Sequence, residues 1–142
     1  MDARREAAVA EARGWISTPY HHQGRIKGAG TDCAMLLAAV YYAADVIPFI
    51  DPRPYPADWH LHRPEQRYLG FVRQYCHQVE RPGPGDVVLY QFGRCLAHGG
   101  IVTAWPMIIH AYQDARMVIE DRGDLGRFTD RYHEFWSPFH GD

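Results

Sequence analysis

Five consecutive residues, Pro82-Gly83-Pro84-Gly85-Asp86, constrain the fold more than any other stretch. Proline removes a backbone donor and glycine removes the side-chain bias, so neither a helix nor a central strand runs through them. Before the break the pattern is helical. From about Asp2 to Ile16, Ala8, Val9, Ala12, Trp15 and Ile16 recur at helical spacing and predict an amphipathic helix ended by Thr18-Pro19-Tyr20. The segment from there to Gly30 reads as loop, and the apolar run from Ala34 to Ala44 predicts a second helix over 33–46. Pro64 suits a first helical position, so 65–77 reads as a third helix with Tyr68, Leu69, Val72 and Tyr75 inward. After the break, 86–92, 96–104, 107–113 and 117–120 are rich in strand formers and joined by short turns, which predicts an antiparallel meander. A polar bend around Gly123 to Gly126 leads to an edge strand at 135–139. Helices first and strands afterwards define an α+β class: a three-helix half packed on a small sheet of about four to six strands.

The chain of 142 residues is long enough for one domain with its own core, and 1–142 reads as a single unit. Within it, Pro48, Pro52, Pro54, Pro56 and Pro64 turn 46–64 into an irregular excursion, in which Phe49, Tyr55 and Trp59 either line a cleft or anchor the loop. A formal charge of −2, with no basic cluster on a periodic face, gives no footprint for nucleic acid. The longest apolar run stops at Asp45, short of the roughly 20 residues a span requires, so no membrane insertion is expected. The charged start, Met1-Asp2-Ala3-Arg4-Arg5-Glu6, lacks a secretory apolar core, which implies synthesis in the cytoplasm without an export signal of its own. Cys33, Cys76 and Cys95 have no disulfide-framework spacing.

Chemistry concentrates at Gly28-Ala29-Gly30-Thr31-Asp32-Cys33. Glycines give a sharp entry, Asp32 is a good N-cap, and Cys33 then falls at the first helical position, where unpaired amides and the helix dipole favour a thiolate. Cys33 is therefore either a nucleophile or a small buried residue heading a core helix. Two strands each carry one histidine in an apolar setting: His98 before Gly99-Gly100-Ile101, and His110 in Ile109-His110-Ala111. With Trp105-Pro106 as the bend, the two are expected roughly opposite each other, looking from one sheet face at the head of the second helix. Gly99 and Gly100 would leave room for a substrate backbone. The rival reading is metal binding, through Cys95-x-x-His98, His60-x-His62 and His21-His22, but no second cysteine pair completes a tetrahedral set.

Thr18-Pro19-Tyr20, Gly24, Gly30-Thr31-Asp32-Cys33, Pro82-Gly83-Pro84-Gly85-Asp86-Val87-Val88, His98-Gly99-Gly100-Ile101 and Ile109-His110-Ala111 together resemble the NlpC family of papain-like cell-wall cysteine peptidases. The short chain, proline-rich insertion and missing export signal are most similar to the branch found in tails of bacteriophages and gene transfer agents. The resemblance implies a papain-like fold with Cys33 as nucleophile, His98 as base and His110 as the residue that orients the base. It places Tyr20 beside the nucleophile; Tyr20, Asp32 and Gly99 are the candidate substrate-side residues. It implies hydrolysis of peptidoglycan stems, typically between D-glutamate and a diamino acid, by a tail-borne enzyme acting in the periplasm or cell wall beside tail hub or tip proteins. No cofactor and no metal are implied. In the resulting chemistry Cys33 and His98 share a proton as an ion pair, helix-head amides receive the oxyanion, and His98 protonates the leaving amine. Ala34 and Met35 depart from the small polar residue and glycine that usually follow the family's Asp-Cys, which bears on substrate choice. Two alternatives remain: a structural tail plug or docking protein on the same scaffold with little or no turnover, and a metal-dependent hydrolase.

Overall fold

The computed structural model describes residues 2–54, 67–93 and 95–140, the side chains of 67 and 68 excepted. Helix α1 covers Ala3–Gly14, and the Asp2 carboxylate caps it by accepting from the Arg4 amide. Ala8, Ala12 and Trp15 are buried, whereas Ile16, expected inward, is exposed because the helix has already ended. Strands β1 (Arg25–Ile26) and β2 (Gly30–Thr31) form a small antiparallel hairpin inside the segment expected to be plain loop. Helix α2 (Cys33–Ala43) is buried from Cys33 to Tyr41, as a helix apolar on every side must be. It stops earlier than expected: Asp45 turns into the left-handed region, and the Val46 and Ile47 amides both return to the Tyr41 carbonyl.

Helix α3 (Arg67–Tyr75) buries Leu69 and Val72 and half-buries Tyr75; the expected start at 65 and the Tyr68 side chain lie outside the described residues. The expected helical end at 77 is replaced by a short strand, β3 (His77–Val79). Strands β4 (Val87–Phe92), β5 (Cys95–Ala104), β6 (Met107–Tyr112) and β7 (Met117–Arg122) form the meander. The last strand, β8 (His133–Ser137), is not an edge: it pairs with both β3 and β4. The six-stranded order is β3-β8-β4-β5-β6-β7, antiparallel at every junction. Two-sided pairing is what the burial of Trp136 and Ser137 requires.

The helices cover one sheet face, which supplies Val87, Leu89, Ile101, Ile109 and Ala111 to the main core. The second face carries Val88, Tyr90, Val102 and Ile108 and is covered by Phe128. Phe128 sits in a 3-10 turn, Gly126–Phe128, just past the polar bend read from sequence around Gly123 to Gly126. The Pro-Gly break is locked from α1 and α2: Arg5 Nη1 donates to Pro84 O at 2.9 Å and to Asp86 Oδ1 at 3.0 Å, and the Tyr41 hydroxyl donates to Gly85 O at 2.6 Å. Of the proline-rich excursion, Phe49 packs under the Arg25 guanidinium, which also donates to Ile50 O; Tyr55 and Trp59 lie outside the described residues. Among the described residues no helix is long and apolar enough to cross a membrane.

Candidate active site

The head of α2 forms as its sequence dictates. Asp32 Oδ1 accepts the Met35 amide at 2.9 Å, which caps the helix and makes Cys33 its first residue. Asp32 Oδ2 accepts the Gln23 amide at 2.7 Å, so one buried carboxylate fixes both the helix head and the loop running over it. Asp32 is thus a structural pin, with both oxygens engaged by protein donors rather than held out toward a substrate. Tyr20 is half-buried beside this head and bridges to Thr31. Its phenol is pushed well above the ordinary value by burial, with the nearby Cys33 and Asp32 adding to the shift.

Cys33 is 8% exposed, and its Sγ lies 3.8 Å from the Ala97 carbonyl oxygen, against the peptide group that leads into His98. A bulge brings that peptide group forward. Tyr90 pairs with His98 but Gln91 pairs with Leu96, which leaves Ala97 as the extra residue of β5.

The histidines meet each other, but not as the hairpin geometry suggested. Ile101 pairs with Ile109 and Val102 with Ile108, so continuing the ladder places His110 across from Gly100, with His98 two residues further along. A bend at Trp105-Pro106 that pairs Ala104 with Met107 would by itself set His110 across from Ile101; a second irregularity, at Thr103, moves His110 one residue nearer to His98 and onto the same face. The two rings bridge this diagonal: His98 Nε2 and His110 Nδ1 are 2.8 Å apart. Gly100 makes the approach possible, because a Cβ there would stand 3.3 Å from His110 Cβ and 3.2 Å from Ile108 Cδ1. The space that Gly100 leaves is therefore taken by protein, not kept for substrate. Gly99 is buried and pairs with Leu89.

Strand alternation corrects a further expectation. Ile109 and Ala111 face the helices, so His110 between them faces the other way, and His98 shares that second face with its partner Tyr90. The imidazoles sit in an aromatic enclosure that spacing alone did not reveal. His98 stacks on Phe128 at a centroid distance of 5.8 Å, with Phe92, Tyr90 and Tyr112 around it, and His110 stacks on Tyr112 at 4.8 Å. Tyr112 was legible as the next same-face residue after His110; Phe128 had no pattern to announce it. Burial pushes His98 well below its ordinary value, with His110, Arg127 and Arg131 adding to the effect. Burial also takes His110 down to about 4, against the opposing pull of Asp121. Both rings are thus neutral near pH 7, which disfavours the thiolate–imidazolium resting pair expected from sequence.

The thiol thus reaches β5 at the peptide group leading into His98, with Tyr20 beside the helix head, while the His98–His110 pair lies on the other face of the sheet. Cys76 is a different kind of thiol, pushed up to about 12 by burial and by Asp86. Among the described residues no three histidine, cysteine, aspartate or glutamate side chains cluster as a metal site would; His60 and His62 lie outside them.

No protein-family model matches the sequence, and no match is found among curated proteins. Solved structures do match in three dimensions. The NlpC/p60 domain of the peptidoglycan hydrolase SagA is 20% identical with a TM-score of 0.59, over 94% of this chain and 97% of that one. NlpC2 from Trichomonas vaginalis is 16% identical with a TM-score of 0.69, over 96% of this chain and 49% of that one. RipD from Mycobacterium tuberculosis, described as a non-catalytic NlpC/p60 domain protein adapted to peptidoglycan binding, is 11% identical with a TM-score of 0.59, over 95% of this chain and 97% of that one. The chain thus spans nearly all of two of these chains and about half of the third. The fold is the papain-like α+β fold of NlpC/p60 domains.

Proposed function

We propose that the chain belongs to the NlpC family and is a cysteine peptidase that hydrolyses the peptide stems of bacterial peptidoglycan, with Cys33 as nucleophile, His98 as base and His110 orienting the base. The observation that carries this reading is the 2.8 Å contact between His98 and His110, on the strand whose backbone touches the thiol at the head of α2. Nothing in packing alone calls for a fully buried imidazole joined nitrogen to nitrogen to a half-buried one, since burying polar groups costs free energy unless they are paired. The similarity in fold to NlpC/p60 domains of peptidoglycan hydrolases supports the same substrate class.

In this reading His98 is neutral at rest and takes the thiol proton as sulfur attacks the stem carbonyl. The Met35 amide is held by the Asp32 side chain and the Leu36 amide by the Asp32 carbonyl, so the oxyanion is received at the very start of the turn. The protonated His98 then delivers its proton to the leaving amine, and water, deprotonated by the same ring, hydrolyses the thioester. The bond cut is that between D-glutamate and a diamino acid, and the setting is a phage-like tail whose hub or tip proteins carry the domain to the periplasm; both assignments rest on the sequence resemblance.

One observation favours a second reading, a wall-binding or plug domain without turnover: both imidazoles lie on the face away from the α2 core, while the thiol contacts a carbonyl. RipD shows that the fold admits such a role. Digestion of purified peptidoglycan separates the two. The peptidase releases new amino termini at D-glutamyl bonds and Cys33→Ala does not. Equal release by the two proteins, or none from either with retained wall binding, overturns the enzymatic reading.

A further inference from the structure

The hydrogen-bond line through the two histidines does not stop at His110. His110 is fully buried, and its Nε2 has no hydrogen-bond partner among the described residues, a costly condition for a ring nitrogen. It is aimed at a carboxylate. Asp121 Oδ2 stands 3.7 Å from His110 Nε2, slightly beyond hydrogen-bond reach. Asp121 pairs with Ile108 across β6 and β7, so it lies on the same sheet face as His110. Its Oδ1 already accepts the Arg122 amide at 2.8 Å, which steadies the carboxylate and leaves Oδ2 turned to the ring. The neighbouring charges do not compete for it: Arg122 pairs with Asp124, Arg127 with Asp114, and Glu120 with Arg13.

We propose that Asp121 is a positioning residue for the Cys33–His98–His110 line, fixing the tautomer of both imidazoles from its outer end. A small closure brings Oδ2 into contact, so that His110 carries its proton on Nε2 and donates it to Asp121. Nδ1 of His110 is then an acceptor and takes the hydrogen bond from His98 Nε2–H. His98 is left with a lone pair on Nδ1, the nitrogen a base needs for a thiol. Without the carboxylate, His110 is free to hold its proton on Nδ1 and donate to His98 Nε2; His98 then carries its proton on Nδ1 and is blocked as a base. No atom of Asp121 touches substrate in this arrangement.

The proposal rests on the peptidase reading for its kinetic consequence, but not for the tautomers, and the experiment keeps the two apart. Histidine ring nitrogens of the full-length protein labelled with nitrogen-15 are read by long-range nitrogen–proton NMR, and cleavage of purified peptidoglycan is measured on the same samples. The wild type is expected to show His110 protonated at Nε2 and His98 at Nε2. Asp121→Ala is expected to shift both rings toward the Nδ1 form and to lower kcat about 10–100-fold with KM within about twofold, by analogy with loss of the carboxylate that orients a metal-bound histidine. Asp121→Asn, whose amide oxygen accepts the same proton, is expected to keep the wild-type tautomers and most of the activity. A wild type with His110 protonated at Nδ1, or an Asp121→Ala protein with unchanged tautomers, overturns the proposal. Expected tautomers in a wild type that cleaves nothing uphold the role of Asp121 and overturn the peptidase instead.

Discussion

At the scale of single residues, His110 is the most informative side chain. It is wholly buried, flanked by Tyr112 and Phe128, and held neutral by desolvation. The linkage has a definite sign. A histidine whose ordinary value of 6.5 falls to about 4 in the folded state takes up a proton on unfolding over that interval. Its contribution to stability is complete above pH 6.5 and is lost as pH falls toward 4. His98, also shifted down, acts in the same direction. Denaturant midpoints are therefore expected to rise with pH over this window, and His110→Gln to flatten the rise; an unchanged slope in the variant would exclude a neutral buried His110. The two histidines were legible in the sequence because each interrupts an apolar strand. Asp121 was not, since the strand-forming pattern of β7 fades at Glu120 and only the ladder carries it on to Arg122.

Among elements, α2 and its approach loop behave as one piece through Asp32. Asp32→Ala removes the cap and leaves the Gln23 amide without its buried acceptor, an expected loss of about 2 kcal/mol or more in urea denaturation. Asp32→Asn keeps a capping oxygen and is expected to cost less, because the loop contact alone suffers. Equal stability of Asp32→Ala and the wild type would show that loop and helix head stand independently. Local sequence foretold this element well: Gly-rich entry, cap, then a breaker-free apolar run is self-sufficient information. β5 is the contrary case. Its bulges at Ala97 and Thr103 have no local signature, yet they decide where His98 lies relative to both Cys33 and His110. Likewise β8 reads as an edge until β3, of which only His77 fell within the predicted helix, is found on its far side.

On the scale of the molecule, the helical and β halves are joined through Arg5 and Asp86, residues 81 apart in sequence. Asp86 is 1% exposed, and its other oxygen accepts the Gly83 amide. Arg5→Ala leaves that carboxylate buried without its cation, an expected cost of about 3–5 kcal/mol. A double-mutant cycle with Asp86→Ala, followed by denaturant unfolding, measures the coupling; a coupling near zero would show that the halves are held by apolar contact alone. Periodicity, caps and breakers act within a few residues, so the α+β division, the helix-borne cysteine and the four-strand meander were all readable locally. The tertiary structure alone decided which face each imidazole takes, what Phe128 covers and where the last strand inserts. Those outcomes depend on register and on two-sided pairing, and a one-residue bulge is enough to alter them without leaving a mark in local composition.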